Sequence, residues 1–285
     1  MAKPITTNWW RPDLRLAPQP PSFTRHIGRK LLVFLQTAQG LGAFSLITLG
    51  VILRKRRLAR EVMQPRIRRE ITRSGSRLVP MFSFLALALG FLVVGQAVTQ
   101  LNALHATNYV GSLMVTVVVR ELGPLLAVMM MLARVGAANV IELGTARAQG
   151  EVEALEALAI DPVHYLVVPR VIGMAAGVFA LTIYLILGAL SGGYLWAFLM
   201  MPSLDLTPGE YISQIADALN WMDFVLIAVK TLTFGFFIGV VTCYHGLAQP
   251  LRQEDVSRVA VQAVTQGIIV CTLVDLIFIV IYFVG

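Results

Sequence analysis

Long, nearly uncharged apolar runs leave this chain few folds. Residues 78–100, 110–140, 168–200, 224–244 and 259–284 are each long enough to cross a bilayer as a helix. A helix rises about 1.5 Å per residue, and roughly 20 residues cover the hydrocarbon core. The runs are continuous and lack the period-two alternation of a β-barrel. With 57% hydrophobic and 14% charged residues, the balance is far too apolar for a soluble domain. The chain therefore reads as an all-α polytopic membrane protein.

Charge sets the expected topology. Residues 54–77 carry ten Lys/Arg and two Glu, whereas 201–223 hold Asp205, Glu210, Asp217 and Asp223 and no basic residue. Positive segments stay on the cytoplasmic side. The basic stretch then lies inside, the acidic loop outside, and five spans carry the C-terminus to the periplasm. Residues 31–53 are also apolar but basic at both ends, with Arg25, Arg29 and Lys30 before and "RKRR" after. Such a segment lies in the interface or dips in and returns; a true span is the alternative. The expected organisation is a flexible tail over 1–22, a basic interfacial or cytoplasmic helical segment over 23–77, and a five-span domain over 78–285. The 54–77 block suits either anionic headgroups or plain solvation. It also supplies much of the formal net charge of +7, which speaks to topology rather than to nucleic acid.

Catalytic patterns are missing. His26, His105, His164 and His245 are isolated, and no zinc-protease helix, nucleophile elbow or phosphate-binding loop occurs. Cys243 and Cys271 sit in apolar runs and read as buried filler. No metal site is expected. Any ATP and Mg would be held by another chain, and this chain is expected to bind no cofactor.

Two polar features interrupt the apolar pattern. The first is the adjacent pair Arg120–Glu121 in "VVVRELGPLL". Neighbours on a helix point about 100° apart, so the pair needs two partners. Pro124 has no backbone N–H, so the helix is expected to kink or break near 120–123 and to free carbonyls that must be satisfied. Either Arg120 meets a lipid phosphate, with Leu101, Leu104, Val117, Val118, Leu122 and Leu125 against acyl chains, or the pair is a structural tie, with Lys230 the partner of Glu121. The second is residues 145–166, where "EVEALEALAI" forms a short amphipathic helix with Leu155 and Leu158 on one face, ended by Asp161–Pro162. It is either a docking element for a soluble partner or a plain connector. Glu142 and Arg147, near the membrane edge, suggest a local salt bridge.

The central block resembles the MlaE/YrbE permeases, membrane subunits of MCE-type ABC lipid transporters. The agreeing pieces are R-E-L-G-P at 120–124, A-R-x-G-A at 133–137, E-x-G at 142–144, E-x-x-A-L-x-A-L-A-I-D-P at 151–162 and P-R at 169–170. Further on, N-W-x-D-x6-K at 220–230 and Asp275 also agree. The resemblance implies an N-terminal interfacial helix followed by five transmembrane helices. It implies a permease dimer, whether homodimer or paralogue heterodimer, and a cytoplasmic ABC ATPase docked on a coupling helix at about 147–161. On that helix Glu151, Leu155, Leu158 and Asp161 are the docking candidates. It further implies a periplasmic MCE-domain protein, a phospholipid substrate and a bacterial inner-membrane location. The lipid pocket would be lined by Arg120, Glu121, Leu122, Leu101, Leu104 and Lys230. In "LAQPLRQEDVSRVAVQAV" this chain departs from the family: Val259, Ala260 and Val261 stand where relatives carry a polar A-T-T stretch. The expected function is a permease subunit of a lipid transporter. A scaffold that anchors partners without moving lipid is the alternative, and an intramembrane enzyme using Arg120 and Glu121 lacks a nucleophile.

Overall fold

The structure is a computed structural model that describes residues 23–54, 60–104, 109–200, 207–247 and 256–284. The tail over 1–22 and most of the divergent loop, 248–255, lie outside the described residues. Among the described residues every regular element is helical. Five helical stretches are long and apolar enough to cross a membrane: Met63–Asn102, Val110–Ala148, Val163–Met200, Trp221–Leu247 and Ser257–Tyr282. They are the first to fifth spans below. The five expected runs are therefore present, the first beginning 15 residues earlier and the fifth shifted two residues back, and the protein is a multi-pass helical membrane protein.

Residues 1–40 and 41–285 form two units. Of the first, only the start of the helix Phe23–Arg54 is described. Within the second, Phe44 and Ile52 on the later part of that helix pack against Leu143, Val152 and Val240, and the Phe44 ring meets Tyr244 edge-on at 5.8 Å. Gln39–Arg54 of that helix is apolar.

The basic stretch is not a solvated linker. From Arg60 to Ser74 it is a helix that runs into the first span and lies along the third. Met63 and Ser74 are buried, and Gly173 and Gly177 of the third span leave room only for Glu70 and Ser74. The acidic loop also holds structure. Pro208–Ala218 is a helix started by a capping box: Glu210 N donates to Thr207 Oγ1 (3.3 Å) and Thr207 N donates to Glu210 Oε2 (3.1 Å). Tyr211 anchors it, donating to Leu190 O at 3.1 Å. Burial pushes its phenol up to about 12, so it stays a donor at any ordinary pH.

Close approach of backbones holds the bundle together, as expected where lipid removes most of the hydrophobic drive between helices. The main core joins Phe82, Met114, Met131, Met174, Leu185, Phe234 and Ile238, contributed by the first four spans. The hydroxyls of Thr182, Thr231 and Thr242 donate to carbonyls four residues back, so these buried groups are satisfied within their own helices. The fifth span is the least covered, with 17% of its apolar window buried against 50% in the third and fourth. Ala260 and Ala263, at its start, pack on Val140. The apolar substitution that departs from the family pattern thus makes a protein contact.

Candidate functional site

The second span is wound wide where the charged pair sits. Residues Val115–Leu122 are π-helical, and Gly123–Met131 then continues as α-helix with Pro124 in its first turn. The expected break does not occur: Leu122 and Gly123 keep helical angles (φ/ψ −64/−39 and −58/−60). Pro124 fits because the first turn of an α segment needs no N–H from it. The carbonyl four residues back is that of Arg120, and Lys230 Nζ donates to it at 3.0 Å. A lysine from the fourth span replaces the donor that proline lacks.

Two ionic groups form around this turn. Arg120 is held by Asp223 through Nε to Oδ1 at 2.8 Å and Nη2 to Oδ2 at 2.9 Å. Its Nη1 donates to the Tyr282 hydroxyl, and the guanidinium lies 4.6 Å from the centre of that ring. Asp223 also accepts from Asn220 N at 2.9 Å, which ties the start of the fourth span to the same carboxylate. Glu121 faces the other way, as its 100° offset requires. Its Oε2 accepts from Lys230 Nζ at 2.9 Å, and Asp275 Oδ1 lies 2.7 Å from the same ammonium. Lys230 thus gives two hydrogen bonds, to Arg120 O and Glu121, and is ion-paired with Asp275. Lys230, Asp223 and Asp275 are buried, whereas Arg120 and Glu121 are partly open.

Asp223 and Asp275 were the partners missing from the sequence-derived site. Asp223 reads there as a loop acid, yet it stands seven residues before Lys230. Seven residues are two helical turns, so both point to one face, and that spacing was the available signal. Tyr282 had none. Of the apolar candidates, Leu101 and Leu122 are half-buried against the core and Leu104 is 73% exposed. Val118 is fully buried in the core and meets no lipid.

The short helix between the second and third spans is smaller than expected. It covers Glu151–Ala157 rather than 147–161. Arg147 belongs to the last turn of Ala137–Ala148, and Gly150 breaks the chain with φ +78°. Ala159, at φ +57°, turns it again before the proline. Val152 is the buried contact, in the core with Leu143 and Leu247. Leu155 is half-buried and Leu158 is 71% exposed, so the two do not share one exposure. Glu151, Glu153 and Glu156 face solvent. Asp161 starts the third span, its Oδ1 accepting from Val163 N at 3.0 Å and His164 N at 3.4 Å.

Glu142 does not pair with Arg147. It is gripped by Arg73, Nη1 to Oε2 at 2.7 Å and Nη2 to Oε1 at 2.5 Å, with Arg170 Nη2 at 3.5 Å. Five residues along a helix is about 140° of turn, which points Arg147 away.

The chain matches the Permease MlaE family over residues 67–281. A probable ABC transporter permease protein of Rickettsia felis is 28% identical over 244 residues, covering 85% of this chain and 90% of that protein. A probable ABC transporter permease protein of Synechocystis is 28% identical over 215 residues, 73% and 80% of the two chains. The chloroplastic protein TRIGALACTOSYLDIACYLGLYCEROL 1 of Arabidopsis thaliana is 24% identical over 220 residues, 76% and 61%. The family match runs from the basic helix into the last turn of the fifth span and takes in Arg120, Glu121, Asp223, Lys230 and Asp275, so the chain belongs to the MlaE permease family.

Proposed function

We propose that this protein is the membrane subunit of an ABC-type lipid transporter and moves a phospholipid or related lipid between the inner membrane and the periplasmic side. A second permease copy, an MCE-domain protein and a cytoplasmic ATPase that binds ATP and Mg complete the machine. The observation that carries the reading is Arg120. Asp223 Oδ2 and the Tyr282 hydroxyl accept from two of its N–H groups, and its buried Nε stands 2.8 Å from Asp223 Oδ1 without a hydrogen bond. A guanidinium has five N–H groups, and the second proton on each terminal nitrogen is left for phosphate oxygens. Glu121 and Lys230 set the charge beside it, and Leu101, Leu104 and Leu122 offer apolar surface. The diacylglycerol glycolipid in the name of the Arabidopsis relative supports a diacyl lipid as substrate, though it carries no phosphate.

Arg120→Ala is expected to insert and assemble but to lose most co-purified phospholipid. Arg120→Lys restores part, because it keeps charge without the fork. Phospholipid extracted from purified protein, set beside thermal stability, is the measurement. Normal lipid content in Arg120→Ala refutes the role. The bidentate grip of Asp223 favours a second reading, a purely structural tie, which predicts instead that Arg120→Ala disassembles or unfolds the protein.

The exposed end of the Glu151–Ala157 helix is the ATPase contact in this reading. Asp at Leu158 and Leu155 removes apolar contact worth about 1.5–3 kcal/mol per leucine at a buried interface. ATPase co-purification should fall with the permease still inserted; unchanged co-purification makes the helix a connector only. The N-terminus lies in the cytoplasm and Gly285 in the periplasm. A cysteine placed at Ser213 is therefore labelled by an impermeant reagent in intact spheroplasts, and protection from it reverses the topology.

A further inference from the structure

At the opposite end of the second span from Arg120 lies a cavity of about 550 Å³. Glu142 on its wall is 22 residues along the helix from Arg120, roughly 33 Å at 1.5 Å per residue. We propose that this cavity binds the phosphate of an anionic lipid headgroup, as a site separate from the transport route.

Its lining is charged and unbalanced. Arg66, Arg69, Arg73 and Arg77, at helical spacing along the chain entering the first span, join Arg170 of the third. Against these five cations, among the described lining residues, stand only Glu70 and Glu142. Most of the carboxylate capacity is already spent. Both oxygens of Glu142 are taken by Arg73, with Arg170 beside them, and Glu70 lies 3.9 Å from Arg73. Among the described residues Arg66 pairs with no carboxylate; it donates to the Tyr165 hydroxyl and lies over that ring at 3.6 Å. Arg170 gives Nη1 to Leu166 O at 2.8 Å, and its buried Nε has no partner. Among the described residues, Arg69 and Arg77 at the exposed rim make no hydrogen bond or ion pair.

Like charges held this close repel unless an anion sits among them. Several arginine forks converging on one space suit the oxygens of a phosphate. The depth selects a lipid as its source. The cavity opens where the first span becomes apolar at Leu78, where the second ends beyond Ile141, and where the third begins near Tyr165. That is headgroup level, and Ile71 and Ile141, next in the chain to lining residues, are exposed apolar side chains.

The test uses the full chain, delipidated in detergent, with Arg69→Gln/Arg77→Gln and, as control, Arg68→Gln, an exposed arginine of the same helix outside the cavity. Binding of phosphatidylglycerol and phosphatidylcholine from mixed micelles is counted by native mass spectrometry, with glycerol 3-phosphate as the soluble arm. Wild type is expected to hold phosphatidylglycerol preferentially. The double variant should lose about five-fold per arginine removed, and Arg68→Gln nothing comparable. Equal loss in Arg68→Gln, or no loss in the double variant, overturns the site. Equal stabilisation by glycerol 3-phosphate overturns the lipid as its occupant. Reduced ATPase co-purification with lipid binding intact assigns the arginines to a protein interface and also refutes it. Since only binding at this cavity is read, the result does not depend on whether Arg120 carries lipid.

Discussion

Lys230→Ala destabilises the protein by about 3–5 kcal/mol, a lowering of the melting midpoint by about 10 °C. The size follows from what the ammonium holds. Glu121 Oε2 at 2.9 Å and the Arg120 carbonyl at 3.0 Å lose their donor, and Asp275 Oδ1 at 2.7 Å loses its counter-charge. Asp275 is buried, as is Lys230 itself at 4% exposure, so water cannot readily replace it. The carbonyl is the one Pro124 cannot serve, so the second span loses a backbone bond as well. Neutralising the whole group should recover most of the loss, because a buried network removed entirely leaves no charge unpaired. Glu121→Gln/Lys230→Met/Asp275→Asn is therefore expected to melt well above Lys230→Ala. A Lys230→Ala midpoint within a degree or two of wild type shows that the ammonium carries no structural weight.

Gly235→Ala has the second large effect. A Cβ at this position falls 2.3 Å from Ala175 Cα and 2.8 Å from both Ala175 N and Met174 O. These are backbone atoms of the third span, and no side-chain rotation relieves them. The fourth and third spans must separate, at about 1–3 kcal/mol or more for overpacking a tight core. Both ionic groups depend on where the fourth span stands, since Asp223 and Lys230 are on it. Loss of stability should therefore come with loss of bound lipid. Ala175→Gly in the same chain leaves the clash with Ala175 N and Met174 O, so it should rescue little. Unaltered melting of Gly235→Ala shows the two spans to be further apart than described.

The five spans were legible because length and apolarity alone decide them. The missed structure lay in the polar stretches. The basic segment read as a helical stretch facing either headgroups or solvent because its charges dominate its composition, yet Met63 and Ser74 give it a buried side against the third span. The acidic loop hid a helix whose start, Thr207 with Glu210, is a capping box visible only when the three-residue spacing is sought. In the site, the two directions of Arg120 and Glu121 followed from helical geometry, and Lys230 stood as the candidate partner of Glu121 in the structural alternative. The seven-residue spacing places Asp223 on the face of Lys230, but its meeting with Arg120, and that of Tyr282, depends on how the ends of the fourth and fifth spans stand beside the second, which no local pattern encodes. The short helix at Glu151–Ala157 was overextended because its apolar pattern continues to Ile160, while Gly150 and Ala159 take left-handed angles that cut it at both ends.

The wide winding of Val115–Leu122 makes this segment sensitive to insertion and deletion rather than to substitution alone. Near its start, Gly111 lies against the backbone of Gln214 on the helix Pro208–Ala218, with Gln214 O only 2.4 Å from where a Cβ would stand. At its end, Arg120 and Glu121 must meet the fourth span. Deleting one residue between them would rotate one end against the other by about 100°. Gly111 would then swing off Gln214, or Arg120 would be carried back to the place of Val119 and Glu121 to that of Arg120. The extra width of the turn reconciles two angular settings on one rod, so reading-frame-preserving length changes here should be tolerated far less than changes of side chain.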